Sequence, residues 1–309
     1  MSTLVEFPVA TYSETAFGDF NPDTADFTIG NARALMWASQ LAYENDKTIE
    51  AVRQRWRFTS VEPFVKRKVG ITGSFETRGI IGERSNAVVL AFGGTDPAVW
   101  QTLATDLNFR PAASDTHSGF QMAADGVRDD IDRAIQQSRQ AGKPLFVTGH
   151  SLGGALAALA AQRADAAGAT PKAVYVFGMP RVGREQFRAA YDGRLGQATY
   201  RLVHGFDLVA RVPMSGIGFR HVGRSLVCKS GGKFDLATPL SALGADQPAF
   251  ARGLVDDLVN GIGNVATGRI FSPAGLGTFG PLFKFLPPPI RDHLQDRYLT
   301  ALGENLTPP

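Results

Sequence analysis

A serine flanked by glycines stands at the junction of two strongly patterned segments. Ser151 lies between Gly149 and Gly153, after the run 145–148 and before the alanine- and leucine-rich run 155–161. The first run predicts a buried strand, and the second predicts a helix that packs on a sheet. A serine on such a sharp turn presents its hydroxyl to a cleft, because flanking glycines let the strand and the helix approach closely. The pattern therefore predicts a nucleophile for acyl transfer at Ser151.

The helix predicted after Ser151 also has an electrostatic consequence. The first N–H groups of a helix have no acceptor within it and favour negative charge at that end. The N–H of Leu152 is therefore the first expected donor to an oxyanion. A second donor should come from the turn after an early strand. Thr95 offers its N–H and its hydroxyl there, because it follows the apolar run 87–92 and a glycine pair that lets the backbone approach a substrate.

A serine nucleophile needs a histidine base and a carboxylate that orients it. In chains with this kind of turn, the carboxylate follows the serine and the histidine comes last. Asp207 follows a predicted strand directly and suits the orienting role, with Asp256 and Asp257 as weaker alternatives. Two histidines, His221 and His293, follow Asp207. We favour His293, because it begins a predicted terminal helix after a proline-rich loop, whereas His221 lies in a strand-like run.

The other three histidines precede Asp207, and this order excludes them as the base. His150 adjoins the nucleophile, where it is expected to shape the turn, and it is also a candidate to contact the substrate. His117 and His204 are expected to hold loops through hydrogen bonds.

The elements around these residues predict an α/β protein. Apolar residues at helical spacing indicate an amphipathic helix over 24–45. Three strand-like runs suggest antiparallel hairpins, and from residue 120 helices alternate with strands, which predicts a largely parallel sheet with right-handed crossovers. The hairpin strands are 64–71, 75–82 and 87–92; the later helices are 120–140, 152–167 and 184–191, and the later strands are 145–149, 173–177 and 199–203. Reactive groups gather at the carboxyl ends of such strands, where Ser151 and Asp207 fall.

Composition limits the class of protein. With 309 residues, 44% hydrophobic and 20% charged, the chain can bury a large core as a single domain. Its net charge of +3 is small for this length and its basic residues are not gathered into one block, so no nucleic-acid partner is predicted. The densest basic run, 66–68, is interpreted as a solvated strand edge. Cys228, the only cysteine, permits no intrachain disulfide and is expected to be buried. Neither paired cysteines nor a His-x-x-x-His pattern occurs, so no metal or other cofactor is predicted.

Targeting patterns are weak. The first residues lack the basic start and the apolar core of a secretory signal peptide, and no uncharged apolar run approaches the ~18 residues of a membrane-spanning helix. A cytoplasmic location is therefore predicted by default, with secretion by a signal-independent route as the alternative, and no transmembrane segment is expected.

Residues 231–289 differ in composition from the rest of the chain. They combine glycine, proline and alanine with isolated large apolar residues and few charges. Two interpretations stay open: an insertion that packs on its own domain, or a second apolar cover before His293.

The chain resembles lipase class 3, the fungal-type triacylglycerol lipases with the α/β-hydrolase fold. Six elements occur in the family order between about residues 86 and 299. They are Phe92-Gly93-Gly94-Thr95, His117-Ser118-Gly119-Phe120, Gly149-His150-Ser151-Leu152-Gly153-Gly154, Phe177-Gly178-Met179-Pro180-Arg181-Val182-Gly183, Asp207 with Val209 and Pro213, and Asp292-His293 with Tyr298.

The resemblance implies one α/β-hydrolase domain over 1–309, with a mostly parallel central sheet flanked by helices. It implies a triad of Ser151, Asp207 and His293, with Thr95 and Leu152 as the oxyanion donors. It also implies a lid over 96–109, in which Trp100 and Leu103 are candidate substrate contacts.

The expected activity is hydrolysis of carboxylic esters of lipids, such as acylglycerols, through an acyl-enzyme. Phospholipase A1 and short-chain or feruloyl-type esterase activities are alternatives, and a non-catalytic lipid-binding module is a remote one. Apolar residues in the predicted lid and in 231–289 favour long acyl chains and transient contact with a lipid interface.

Overall fold

The computed structural model of the protein describes residues 6–70, 73–94, 115–213, 215–245 and 288–306. Within these ranges, seven strands form one sheet in which spatial order follows chain order. The strands are β1 (Ser60–Gly70), β2 (Gly73–Glu83), β3 (Val88–Phe92), β4 (Leu145–His150), β5 (Ala173–Phe177), β6 (Thr199–His204) and β7 (Arg224–Cys228).

The helices lie between and beyond these strands. They are α1 (Ile29–Leu41), α2 (Asp46–Arg55), α3 (Ser118–Gly126), α4 (Arg128–Ala141), α5 (Leu152–Ala166), α6 (Glu185–Asp192), α7 (Pro288–Arg291) and α8 (Gln295–Ala301). Short 3-10 turns occur at Val9–Thr11, Gly196–Ala198, Val209–Arg211 and Ser215–Ile217.

One strand of the sheet, β2, runs opposite to the other six. β1, β2 and β3 pair antiparallel, whereas β3 to β7 all run parallel. The predicted hairpins and the predicted mostly parallel sheet flanked by helices are both confirmed. Four carboxyl ends, those of β3 to β6, lie side by side, so the turns that follow these strands meet at one edge of the sheet.

Two apolar layers cover the sheet. Adjacent residues of a strand point to opposite faces, and in β4 Val147 joins the layer formed with α3, α4 and α5, whereas Phe146 joins the layer formed with α1, α2 and α8. Because both faces are covered, the residues of β3, β4, β5 and β6 are all buried, which explains their continuous apolar runs.

The helix predicted over 24–45 is shorter and less amphipathic in the structure. It starts at Ile29, where the Thr28 side chain accepts a hydrogen bond from the N–H of Asn31 and caps the first turn. It ends at Leu41, and a separate helix, α2, starts after a second capping residue, Asn45. Almost every residue of α1 is buried, so its contacts exceed a single apolar stripe. The helix predicted over 120–140 is likewise divided, at Val127.

Part of the segment 231–289 packs on its own domain. The N–H of Phe234 donates to the main-chain oxygen of Ala301 over 2.9 Å, and the N–H of Ser241 donates to that of Ser225 over 3.0 Å. Residues 246–287 of this segment, and the whole of the predicted lid at 96–109, lie outside the described residues. Among the residues described, no helix combines the length and the apolar character needed to cross a bilayer.

Candidate active site

Ser151 occupies a strained turn between β4 and α5. Its φ is 62° and its ψ is −132°, a conformation that residues with a side chain rarely adopt. The flanking glycines make the turn sterically accessible: a Cβ on Gly149 would lie 2.1 Å from the main-chain oxygen of Gly153, and a Cβ on Gly153 would lie 2.5 Å from that of Phe92. Strand and helix therefore pass too closely here for any side chain, and Ser151 is held at the carboxyl edge of the sheet.

The structure describes only one of the two predicted oxyanion donors, Leu152. Leu152 is the first residue of α5, so its N–H has no acceptor within the helix. On the other side, Gly94 lies directly over the serine, because a Cβ on Gly94 would come within 2.7 Å of the Cβ of Ser151. Thr95, together with Trp100 and Leu103 of the predicted lid, lies outside the described residues.

The structure brings Asp207 and His293 together across a separation of 86 residues. Nδ1 of His293 lies 2.9 Å from both carboxylate oxygens of Asp207. Asp207 is fully buried, whereas the His293 side chain keeps 15% of its surface exposed. Because Nδ1 faces an acceptor, it carries the proton, and Nε2 is the nitrogen left to accept one.

Three further donors hold the Asp207 carboxylate. The N–H of Val209 donates to Oδ1 over 2.8 Å, and the hydroxyl of Tyr298 donates to Oδ2 over 2.5 Å. The N–H of Ala210 makes a longer contact of 3.4 Å with Oδ1. Burial opposes ionisation of Asp207, but the charge of His293 and the hydrogen bonds from His293 and Tyr298 outweigh it, so the pKa of Asp207 lies below its ordinary value. The carboxylate is therefore held ionised without access to water.

Gly178, the residue after β5, forms the floor under this pair. Its φ is +57°, and a Cβ there would lie 2.5 Å from Oδ2 of Asp207 and 2.9 Å from Nδ1 of His293. The N–H of Ser151 donates to the main-chain oxygen of Phe177, directly before this glycine, over 2.9 Å. The turn after β5 therefore holds the backbone of Ser151 through a hydrogen bond, and the absence of a side chain at Gly178 leaves room for the Asp207–His293 pair.

His150 lies beneath the site, between Tyr43 and His293. Its Nδ1 is 2.9 Å from the hydroxyl of Tyr43, and its Nε2 is 2.9 Å from the main-chain oxygen of His293. Burial, reinforced by the neighbouring His293, lowers the pKa of His150 to about 3, so the ring is neutral near pH 7. With 2% of its surface exposed and both nitrogens paired, His150 supports the turn beside Ser151. Its contact with a substrate stays a prediction.

Tyr43 is a further residue of the site, and it was not predicted from the sequence. This residue follows α1 and is separated from His150 by 107 positions, and no local pattern marks it. Its buried hydroxyl also forms hydrogen bonds with the backbone of Gly94 and the side chain of Gln295. Tyr43 thus connects the turn over Ser151, the histidine beside Ser151 and the start of α8.

The remaining histidines have structural contacts. Nδ1 of His117 accepts from the N–H of Gly119 and caps α3, and Nδ1 of His204 lies 3.2 Å from the main-chain oxygen of Asp292, in line with their predicted loop-holding roles. His221, the alternative base, is buried, and its Nε2 bonds to the main-chain oxygen of Ala210. The alternative carboxylates, Asp256 and Asp257, lie outside the described residues.

Cys228 ends β7 and is buried, as its setting in the sequence predicts. Burial raises the pKa of its thiol to about 12, so the thiolate is not populated near neutral pH. Cys228 is therefore not an activated nucleophile.

Comparison with known proteins identifies the region that carries these residues. The family model described as lipase (class 3) matches residues 89–216, which include Ser151, Leu152 and Asp207. The α/β core of the chain is similar to the class 3 lipases. The resemblance inferred from the sequence motifs is therefore confirmed.

Several curated lipases are similar to this chain. A secreted mono- and diacylglycerol lipase of Fusarium solani is 36% identical over 147 residues, covering 45% of the chain and 42% of the relative. Lipase A of Penicillium camembertii, also named a secreted mono- and diacylglycerol lipase, is 33% identical over 155 residues, covering 48% and 50%. The chain spans about half the length of the curated relatives that it matches.

Solved lipase structures share the fold. A triacylglycerol lipase whose catalytic centre is described as a serine protease triad superposes with a TM-score of 0.54 at 21% identity, covering 64% of this chain and 79% of that one. Lipase II of Rhizopus niveus gives a TM-score of 0.53 at 20% identity, covering 70% and 88%. These likenesses confirm the predicted α/β-hydrolase fold.

The predicted cytoplasmic location is wrong. Relatives from Fusarium solani, Malassezia globosa and Penicillium are all named as secreted lipases, which contradicts the cytoplasmic prediction. The prediction failed because it rested only on the absence of one targeting pattern from the sequence, and that absence does not determine the location of a protein.

Proposed function

We propose that the protein is a serine hydrolase that cleaves carboxylic esters of lipids through an acyl-enzyme. The observation that carries this proposal is the buried Asp207–His293 pair beside the strained turn at Ser151. The match of residues 89–216 to the family model of the class 3 lipases supports it independently. Relatives named as mono- and diacylglycerol lipases favour acylglycerols as the substrate class.

In the proposed mechanism, Nε2 of His293 takes the hydroxyl proton of Ser151 as the serine oxygen attacks the ester carbonyl. Asp207, ionised and immobile, fixes the ring with Nδ1 protonated and stabilises the positive charge that forms on it. The tetrahedral oxyanion accepts hydrogen bonds from the N–H of Leu152 and from Thr95.

Collapse of this intermediate breaks the bond to the alcohol, which leaves with the proton from His293. Water then attacks the acyl-enzyme, with His293 again as the base, and releases the carboxylic acid and the free serine. Because each proton moves between Ser151, His293 and the departing or entering oxygen, the cycle needs no cofactor.

Contact with a lipid surface belongs to the same proposal. We place a lid at 96–109, with Trp100 and Leu103 as substrate contacts, and an apolar cover within 231–289. Support for both comes from their apolar residues and from the position of 96–109 directly after the turn that lies over Ser151.

The test compares the wild-type chain with Ser151→Ala. We expect the variant to lose hydrolysis of p-nitrophenyl butyrate and labelling by an organophosphonate while its thermal unfolding is unchanged. Retained hydrolysis in the variant would overturn the proposed nucleophile. A wild-type chain that binds lipid but neither hydrolyses esters nor reacts with the organophosphonate would instead be a lipid-binding module.

Substrate class is tested by rates on esters of increasing acyl length, each measured in solution and on an emulsion. A preference for long chains at the emulsion supports a lipase, and a preference for short soluble esters supports a simple esterase. Release of fatty acid from the first position of a phospholipid would indicate phospholipase A1.

A further inference from the structure

The hairpin of β1 and β2 extends well beyond the sheet on the side of the candidate active site. The pairing of β2 with β3 starts at Glu83 and ends at Gly79, which lies opposite Phe92, the last residue of β3. Beyond that point β1 and β2 pair only with each other among the described residues, as far as Gly70 and Gly73. Six residue pairs lie beyond Gly79, from Val65 and Arg78 to Gly70 and Gly73, so the extension, which lies within 64–78, reaches about 20 Å past the sheet. Phe92 is the carboxyl end of β3, so the hairpin projects past the edge of the sheet at which the parallel strands end and Ser151 lies.

The base of this hairpin contacts the site directly. The N–H of Gly93 donates to the main-chain oxygen of Arg78 over 3.1 Å, and Nη1 of Arg78 donates to the main-chain oxygen of Tyr43 over 2.8 Å. Tyr43 in turn bonds to His150, the neighbour of Ser151. The hairpin is therefore anchored to the same residues that support the proposed nucleophile, and its orientation relative to the site is fixed at this end.

The hairpin extension also holds the excess positive charge of the chain. Residues 64–78 contain four basic residues and one acidic residue, an excess equal to the net charge of +3 of all 309 residues. The acidic residue, Glu76, pairs with Arg78 and lies 3.5 Å from Arg67. Arg67 nevertheless has 70% of its side chain exposed. Outside this extension, positive and negative charges balance.

The exposed residues combine charge with apolar surface. Phe64 packs on Phe92, so alternation along β1 directs Lys66 to the same face and Val65 and Arg67 to the opposite one. Lys66 and Arg67 are both exposed, and 54% of Val65 is exposed. A basic element with an exposed apolar residue beside its charges fits a surface that offers negative headgroups above apolar chains.

A solvated strand edge, the interpretation given by sequence alone, does not explain this placement. Charges that protect an edge strand are useful along its whole length. In β1, however, the part that flanks the sheet carries Glu62, and the basic residues begin only where the strand leaves the sheet. The charge thus follows the projection past the active-site edge.

We propose that the projecting hairpin, through Lys66 and Arg67, docks the protein on an anionic lipid surface and turns the active-site edge towards it. This inference rests on the proposed function, because it makes the docked surface the source of the ester substrate. Attraction of this kind acts over about a Debye length of ~8–10 Å and weakens with salt.

The experiment measures co-sedimentation of the full chain, carrying Ser151→Ala so that no lipid is consumed, with two kinds of vesicle. One contains phosphatidylcholine alone, and the other an equimolar mixture with phosphatidylglycerol. Lys66→Glu/Arg67→Glu is compared with Arg139→Glu/Lys172→Glu, which changes the net charge equally. Lys172 precedes β5, and Arg139 lies in the last turn of α4 before β4, so both control positions lie at the opposite edge of the sheet.

We expect the chain to bind the anionic vesicles and not the neutral ones, and high salt to release it. Reversal at Lys66 and Arg67 should reduce binding by about tenfold or more, because each basic residue near such a surface contributes substantially, whereas the control pair should retain most of it. With Ser151 restored, all variants should hydrolyse a soluble short-chain ester at the wild-type rate.

Equal losses in the two charge-reversed variants would overturn the proposal, as would equal binding of the unmodified chain to neutral and anionic vesicles. Binding of duplex DNA that depends on Lys66 and Arg67, with no vesicle binding, would assign the hairpin to a nucleic-acid partner instead. If Ser151→Ala retains ester hydrolysis, the proposed function fails while the vesicle result still stands on its own.

Discussion

The ring of His150 lies against the ring of His293, with centroids 4.6 Å apart and 29° between their planes. Nε2 of His150 faces the main-chain oxygen of His293, which can only accept, so Nε2 carries the proton and Nδ1 accepts from the hydroxyl of Tyr43. The proposed base is thus held from two sides: Asp207 fixes its side chain, and His150 fixes its backbone.

Tyr43→Phe tests this backbone support. The variant leaves the buried Nδ1 of His150 without its donor, which costs about 1–3 kcal/mol, and we expect kcat on a soluble ester to fall by about tenfold with little change in KM. Tyr191→Phe is the matched control, since it removes a buried hydroxyl that bonds to Thr199 far from the site. Equal kcat values for the two variants would show that the Tyr43 hydroxyl matters only for stability.

The contact between Gly178 and the Asp207–His293 pair gives a second prediction. Alanine at Gly178 must adopt a positive φ, which costs about 1–2 kcal/mol, and its Cβ must also displace the pair. Gly142→Ala carries the same backbone penalty at a φ of +62°, with no atom within 4 Å of the new Cβ. We expect similar losses of unfolding free energy from the backbone term, and a loss of activity of about tenfold or more in Gly178→Ala alone. Full activity in Gly178→Ala would contradict the close contact.

Sequence analysis located the three triad candidates because each carries a local signal. Ser151 has flanking glycines that the structure shows to be sterically required, Asp207 follows a strand, and His293 is selected by chain order. Strand positions were predicted closely for the same reason: residues buried on both faces leave continuous apolar runs.

Other features depend on contacts between distant parts of the chain. Tyr43 reaches His150 across 107 positions, and its type and neighbours give no hint of that contact. The predicted helix over 24–45 failed at its ends because the capping residues Thr28 and Asn45, rather than the apolar spacing, decide where α1 and α2 begin. The basic run at 66–68 could be recognised as exposed, but only the register of β1, β2 and β3 shows that it projects past the sheet.

Buried neutral histidines make the fold sensitive to acid. Burial lowers the pKa of His117 to about 4 from an ordinary value of 6.5, and it also lowers the pKa values of His150 and His221. The unfolded chain therefore binds protons as the pH falls below about 6.5, while the folded chain does not, and stability should fall by about 1.4 kcal/mol per pH unit for each such histidine.

Urea unfolding between pH 7 and pH 4.5 measures this slope, and His117→Asn is the informative variant. Asparagine can still accept from the N–H of Gly119 and cap α3, but it does not titrate. We expect its stability to be lower at pH 7, because the smaller side chain leaves a cavity, and to depend on pH with a slope reduced by about one proton. An unchanged slope would mean that His117 is already protonated in the folded chain.

The loop that carries His293 is anchored by the residue before it. Asp292 is buried, and its carboxylate accepts from the N–H of Phe206 over 2.9 Å and from the hydroxyl of Ser230 over 2.8 Å, which ties the loop to the ends of β6 and β7. Gly205 lies against it, because a Cβ there would meet Oδ2 at 2.2 Å. These contacts fix the position of the loop that carries His293 relative to the carboxyl edge of the sheet.

Asp292→Ala should therefore release His293 without removing any group of the triad. The N–H of Phe206 and the hydroxyl of Ser230 lose the acceptor that ties the loop to the sheet, and we expect kcat on a soluble ester to fall by about tenfold or more while KM changes little. Asp292→Asn is the matched control, because its oxygen can accept from Phe206 and its amide can donate to the Ser230 hydroxyl, so kcat should stay within about threefold. If Asp292→Ala loses stability but keeps its kcat, the Asp292 carboxylate stabilises the loop without positioning His293. In that case Asp292 has no part in catalysis.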